Sequence, residues 1–347
     1  MEHTFRELLE TLAQGRDLGS EQAGSALKQI VSGQVSSEEV AAFLMGMRSK
    51  GETVDELVEF VRVMRDSVVP VRVNTNQAID LCGTGGDRSG TFNISTAAMF
   101  VASGAGVPIL KHGNRSVSSK CGSADVLETL GAVVTLEKEH TEELFRRTGM
   151  VFMFAPNFHP AMKHVMPARR SMRIRTFFNI LGPLLNPAGV QRQVVGAFNE
   201  ETARSMAGIL SRLDTKRAIT VHALDGLDEV SITGPSLLCH VEQGRAVREE
   251  VFEPESLGLK RADMAELKGG DATENAALIQ RILSGDATRP QEDMVLLNAA
   301  FGIHVSGRVE SLAEGLEAAR ESIRSGEAIR ALDQFVTVSR ELSTTGS

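Results

Sequence analysis

The chain predicts an α/β protein: a small N-terminal helical domain, then a large α/β domain with a mainly parallel central sheet. Two observations carry this. The first 70 residues show helical spacing and cap signals with no strand pattern. From residue 77 short apolar runs alternate with helical segments, as a parallel sheet with helical crossovers requires. A glycine-rich loop directly after the first apolar run adds a third. It sets polar chemistry at a strand's carboxyl end, where open α/β sheets hold ligands.

The helical block, residues 1–74, reads as four helices. The first two are expected near 4–14 and 21–32. Ser36 with Glu39, and Thr53 with Glu56, are capping-box pairs that open the third and fourth. Gly33 and Gly51 fit as stops, and Pro70 closes the block. A block this small is marginal alone, so it must pack on the larger domain or on a second subunit. Across 75–347 strands are expected at 78–82, 106–110, 132–136, 151–155, 192–198 and 218–223. Helices are expected at 95–104, 123–130, 141–148 and 200–213. Residues 229–252 read as strands with turns at Gly234-Pro235 and Gln243-Gly244. Four more helices follow at 273–284, 291–302, 311–325 and 327–342, and Ser343 to Ser347 should fray.

Composition narrows the function classes. With 37 Lys+Arg against 45 Asp+Glu, the net charge of −8 offers no basic face for nucleic acid. The longest apolar candidate, Ala97 to Leu110, is broken by Gly104, Gly106 and Pro108, so no membrane span is expected. Met1-Glu2-His3 lacks the order of a signal peptide. Cys82, Cys121 and Cys239 are far apart and odd in number, which suggests neither a disulfide framework nor a zinc site. A cytoplasmic location is the expectation.

The chemistry is concentrated in residues 79–125. Ile-Asp-Leu-Cys-Gly-Thr-Gly-Gly-Asp at 79–87 feeds Asn-Ile-Ser-Thr at 93–96 and Lys-His-Gly-Asn-Arg at 111–115. Ser118, Ser119 and Gly-Ser-Ala-Asp at 122–125 follow. Glycines that expose backbone N–H groups, a Ser/Thr-rich helix start and a cationic loop make a polyphosphate site. It is neither of two familiar nucleotide motifs. No Lys-Ser/Thr pair follows Gly83 as a kinase-type phosphate loop needs, and Arg88 stands where the dinucleotide fingerprint needs a third glycine. Asn93 or Ser95 alone could be an ordinary helix cap. Asp228-Glu229, just past strand 218–223, suits Mg²⁺, which takes one or two carboxylates with phosphate oxygens and water. A basic cluster at Lys163, Arg169, Arg170, Arg173 and Arg175, on a helix-like stretch over 160–173, could fork a carboxylate. His159 is open to two readings, general base or structural hydrogen bonder. No nucleophile–base pair stands out, which points to catalysis by positioning and charge.

Taken together, Gly83 to Asp87, Asn93 to Thr96, Lys111 to Ser119, Gly122 to Asp125, His159 to Lys163, the run Arg175 to Pro187 and Asp228-Glu229 resemble the anthranilate phosphoribosyltransferase family. The resemblance spans nearly the whole chain. It implies a fold of the nucleoside phosphorylase and phosphoribosyltransferase type, with residues near 166–185 joining the helical domain. It implies transfer of phosphoribose from phosphoribosyl pyrophosphate to anthranilate in tryptophan biosynthesis, by a homodimer formed through the helical domain. Gly83, Gly86, Asp87, Thr91, Asn93, Ile94, Ser95, Thr96, Lys111, His112, Gly113, Asn114, Arg115, Ser116, Val117, Ser118, Ser119 and Ser123 would line the phosphoribosyl pyrophosphate site. Ser95, Asp228 and Glu229 would hold Mg²⁺. Gly83, Asn114 and Arg169 would touch anthranilate, with His159 shaping the approach; Lys111, Arg169 and His159 are the expected catalytic residues. The absence of Trp and Tyr suits an enzyme made when tryptophan is scarce. Ala223 stands where the family often has Gly.

Three other readings compete. A pyrimidine nucleoside phosphorylase shares the fold, but the complete Lys-His-Gly-Asn-Arg and His-Pro-Ala-Met-Lys segments oppose it. A nucleic-acid binder of related fold would need a basic dimer surface. A kinase or dehydrogenase is weakened by the failed glycine motifs.

Overall fold

A computed structural model describes residues 3–87, 89–116 and 120–344. Four helices open the chain: α1 (Phe5–Ala13), α2 (Ser20–Val31), α3 (Ser37–Lys50) and α4 (Val54–Asp66). Both expected capping boxes form. Ser36 Oγ accepts from Glu39 N at 3.2 Å, and Thr53 Oγ1 from Glu56 N at 3.3 Å. Gly51 ends α3 with φ +85, where a side chain would be strained. Apolar faces of the four helices meet around Phe43 and Phe60, whose ring centroids lie 6.1 Å apart.

The next elements are β1 (Asp80–Gly83), α5 (Ile94–Gly104), β2 (Ile109–Gly113), α6 (Ser123–Thr129), α7 (Lys138–Thr148) and β3 (Met150–Phe154). Short helices α8 (Ala155–Phe158), α9 (Met166–Met172) and α10 (Phe178–Leu181) precede β4 (Arg192–Gly196), α11 (Glu200–Leu210) and β5 (Arg217–Ala223). The chain continues through β6 (Ser236–Glu242), β7 (Arg248–Phe252), α12 (Ala272–Leu283), α13 (Arg289–Ser306), α14 (Leu312–Arg324) and α15 (Glu327–Thr344). One five-stranded sheet has the order β1-β4-β5-β6-β7, and β2 pairs β3 in a second. A parallel bridge between Ile79 and Ile109 links the two. Pairs β2–β3, β1–β4 and β4–β5 are parallel, while β6 and β7 add on antiparallel.

Strand alternation gives the sheet two apolar faces. Leu81, Val194, Ile219 and Leu238 join a core shared with α5 and α13. Their neighbours Cys82, Val195, Leu237 and Cys239 join a second core made with α11, the four N-terminal helices and residues 165–185. Phe177 seals this second core, 4.6 Å from Phe60 and 6.3 Å from Phe43 by ring centroid. No helix among the described residues is long and apolar enough to cross a membrane.

Three expectations are corrected. Residues 132–136 form no strand: Ala132, Val134 and Leu136 are buried, but the Val133 amide donates to Ser339 Oγ, a side chain of α15, and not to a ladder. Alternating burial there comes from packing on a helix. The stretch 160–173 is not one helix. A 3-10 turn over Pro160–His164 precedes α9, because Pro167 lacks an amide to continue a helix through it, and Arg173 ends α9 with φ +52. Ser343 and Thr344 complete α15 and do not fray, while 345–347 lie outside the described residues.

Candidate active site

The glycine loop leaves the carboxyl end of β1 and doubles back through Gly85 (φ +67) and Gly86 (φ +77), conformations that suit glycine. Gly85 N donates to Asp228 Oδ2 at 2.7 Å, which ties the loop to the Asp228-Glu229 segment beyond β5. That approach is possible only because two strand ends carry no side chain. A Cβ on Gly83 would lie 2.6 Å from Asp228 Oδ2, and one on Gly196 would lie 1.6 Å from the Asp228 carbonyl oxygen. Asn298 of α13 holds the following residue, accepting from Val230 N at 3.0 Å and donating to Val230 O at 2.9 Å.

Glu229 Oε1 accepts from the backbone N of Ser95, in the first turn of α5, at 3.1 Å. Lys111 reaches the same point. It lies within β2 and not after it, because the strand runs three residues further than its apolar pattern. Its buried ammonium donates to the Leu81 carbonyl and to Ser95 Oγ at 3.2 Å. Burial pushes the Asp228 carboxyl well above the usual carboxylate range, and the neighbouring Asp87 raises it further. Burial does the same to Glu229, followed by the Asp228 charge, with Lys111 opposing. The charges of Asp87, Asp228 and Glu229 bear on one another beside Lys111, a repulsion that a cation would relieve. The donors are hard oxygens with no His or Cys among them, which fits Mg²⁺ and not Zn²⁺.

Beneath the site Asp80 is fully buried and its carboxyl is pushed up to about 6 by burial, against the Lys111 charge and the Asn186 hydrogen bond. Asn186 donates to Asp80 Oδ2 at 2.8 Å and to Leu110 O at 2.7 Å. The next ring outward is a histidine pair. His112 and His159 meet Nε2 to Nε2 at 3.1 Å. Burial, then the facing ring, lowers His112 to about 3; burial lowers His159 to about 4. Both rings are neutral at pH 7.

Other expected residues divide by environment. Asn93 does not cap α5 with its side chain: it donates to Cys121 O at 3.2 Å and accepts from Asn275 Nδ2 at 3.0 Å. Thr91 and Ser89 share a hydroxyl contact of 3.2 Å, and Ser89 Oγ donates to Asp87 at 2.7 Å. Ile94 and Thr96 bury their side chains in the core, so only their backbone can face a ligand. Gly113 lies where a Cβ would meet Phe152 and Ser123 Oγ at 2.6 Å. Asn114 is exposed; its carbonyl accepts from Ser123 Oγ at 3.2 Å. Arg115 is held away from the loop by Glu128 at 2.7 Å and Asp125 at 3.2 Å. Ser116 N donates to Asp125 Oδ2 at 3.1 Å. Val117, Ser118 and Ser119 lie outside the described residues.

The basic cluster resolves into two useful members. Arg169 is half-buried on α9 with its guanidinium 5.5 Å from the Phe178 ring centre. Burial alone lowers its pKa, and it has no carboxylate partner among the described residues. Arg175 donates to the Gly86 carbonyl and stacks 4.2 Å over Phe198. Lys163, Arg170 and Arg173 are exposed. Arg175 is read from sequence as a member of the basic cluster, and the structural roles of Gly196, Asn186 and Asn298 are not singled out. Arg175 and Asn186 leave a signal, by standing inside the family-like run Arg175 to Pro187.

Comparisons with known proteins bear on the family and the fold. Residues 75–329 match the model of the glycosyl transferase family a/b domain, and 6–68 that of its helical bundle domain. The chain is 51% identical over 337 residues to the anthranilate phosphoribosyltransferase of Salinibacter ruber, covering 96% of this chain and 98% of that one. The crystal structure of anthranilate phosphoribosyltransferase from Thermus thermophilus is 40% identical with a TM-score of 0.90, covering 96% and 99%. The Saccharomyces cerevisiae enzyme in complex with PRPP and Mg is 29% identical with a TM-score of 0.89, covering 98% and 99%. On sequence and fold, the chain belongs to the anthranilate phosphoribosyltransferase family.

Proposed function

We propose that the protein transfers the phosphoribosyl group of phosphoribosyl pyrophosphate to the amine of anthranilate, releasing pyrophosphate, in tryptophan biosynthesis. One observation carries this reading: a glycine loop, Lys111 and an Asp-Glu pair converge on one point, while Arg169 stands half-buried without a carboxylate partner among the described residues. The first set fits a metal-bound polyphosphate and the second a carboxylate.

The amides of Gly86 and Asp87, free of protein partners among the described residues, take pyrophosphate oxygens. Asp228, Glu229 and Ser95 would hold Mg²⁺, which when bound neutralises charge on the leaving pyrophosphate. Lys111 adds a fixed cation at Ser95. Arg169 binds the anthranilate carboxylate and aims the amine at the ribose C1. His159 acts as a positioning residue, through its bond to His112. As the C1–oxygen bond to pyrophosphate breaks and the bonding pair leaves with pyrophosphate, the amine nitrogen bonds C1 and its proton passes to solvent.

The unit division 1–74 with about 166–185, against 75–347, is supported by the shared core around Phe177. A homodimer through the helical domain is supported by the exposed apolar side chains of Met45 on α3 and of Ile174.

The test follows anthranilate fluorescence with phosphoribosyl pyrophosphate and Mg²⁺. Wild type consumes anthranilate only with Mg²⁺. Arg169→Ala and the pair Asp228→Asn/Glu229→Gln each lose about 10²–10³ in rate, the scale for a removed electrostatic clamp. A folded wild type that leaves anthranilate untouched rejects the reading.

A further inference from the structure

We propose that Lys268 is an additional phosphate-binding residue, carried to the substrate by a strap that forms the outer wall of the glycine loop. The inference rests on the phosphoribosyl pyrophosphate reading above.

Residues 267–270 run alongside residues 90–92. Phe92 N donates to Leu267 O at 3.3 Å, and Gly269 N donates to Gly90 O at 2.9 Å. Between these bonds Thr91 and Lys268 form an antiparallel bridge. Residues directly opposite in an antiparallel pair point to the same face, with Cβ atoms about 5 Å apart. Lys268 therefore projects on the side of Thr91, whose hydroxyl joins Ser89 and, through it, Asp87.

The strap is held closely. A Cβ on Gly269 would lie 2.6 Å from the Phe92 backbone, so only glycine permits this approach. Gly270 N donates to Asn275 Oδ1 at 2.8 Å, and Asn275 Nδ2 donates to Asn93 Oδ1 at 3.0 Å. Strap, glycine loop and the start of α5 thus form one hydrogen-bonded unit.

The lysine's own surroundings do not neutralise it. Lys268 is exposed and makes no ion pair among the described residues. The nearby acids in sequence are engaged: Glu266 with Asp263 N at 2.9 Å, Asp271 with Thr273 N at 2.9 Å, and Glu274 with Asp271 N at 3.0 Å. A fixed backbone carrying an unspent, flexible cation beside a polyphosphate loop is suited to close on a phosphate as the substrate seats.

The test is steady-state kinetics on Lys268→Ala, Lys268→Arg and Lys268→Glu, with Lys260→Ala as an exposed-lysine control. Lys268→Ala should raise the KM for phosphoribosyl pyrophosphate about fivefold to tenfold, with kcat within about twofold and the KM for anthranilate unchanged. Lys268→Glu should raise it further, Lys268→Arg should stay near wild type, and added KCl should narrow the differences. Lys260→Ala should behave as wild type. If wild type turns over and all three Lys268 variants keep its KM for phosphoribosyl pyrophosphate, the proposal is overturned while the reaction stands. Loss of kcat with a lowered melting temperature in all three would equally overturn it, in favour of a structural role.

Discussion

His112 and His159 show how a single pair can link the site to the acid limit of the fold. Both are buried, and their pKa values of about 3 and about 4 lie below the ordinary 6.5. The unfolded chain therefore takes up protons below pH 6.5 that the folded chain refuses until about pH 4 for His159 and about pH 3 for His112. Stability is full above pH 6.5 and falls as pH drops through that window. By urea unfolding, wild type should lose about 2 kcal/mol per histidine between pH 7 and pH 5. His159→Gln, although less stable at pH 7, should show a shallower slope. An identical slope in the variant would mean that the ring titrates freely in the fold. Legibility at this scale follows adjacency. Gly83 to Asp87, Lys111 and Asp228-Glu229 could be read because each motif is contiguous and chemically distinctive. Gly196 could not, because its requirement is imposed by Asp228, whose backbone arrives from beyond β5.

At the level of elements, the sequence located most helices and strands because caps and periodicity are local. It failed where the partner decides. Residues 132–136 alternate like a strand yet pack on α15, and β2 extends into Lys111 and His112 because their polar groups find partners at Leu81, Ser95, Asp80 and His159. The end of β4 is the most consequential strand terminus. Gly196→Ala should force the Asp228 carbonyl away and displace the acid pair. The Mg²⁺ concentration for half-maximal activity should then rise by about 10–100-fold, the range seen when a ligand's support is disturbed. The KM for anthranilate, which the proposed Arg169 contact would set, should change little. Equal Mg²⁺ dependence in wild type and variant would show that the carboxylates reposition without Gly196.

For the molecule as a whole, the two apolar cores carry different duties. One stabilises the sheet against α5 and α13, and the other joins the sheet to the helical block through Phe177. Phe177→Ala should cost about 3–5 kcal/mol. Because Phe177 also packs 4.6 Å from Phe178, the ring beside Arg169, the same variant should raise the KM for anthranilate more than that for phosphoribosyl pyrophosphate. A stability loss with both KM values unchanged would separate that core from substrate binding. The recruitment of residues 165–185 into the helical core is not written in local periodicity. The aromatic contacts of Phe177 with Phe43 and Phe60 account for it physically.

The pairing of β1 with β4 has a kinetic consequence. Asp80 finds Gln193 across a chain segment that contains α5 to α10 and the whole β2–β3 pair. Closing so long a connection costs chain entropy before any ladder bond rewards it, and parallel pairings of this kind form slowly. The glycine loop, Gly196 and the Asp228 segment can meet only after that closure. During refolding, helical signal should therefore recover first and the ability to bind substrate last, with the enzyme acquiring its shape well before its chemistry.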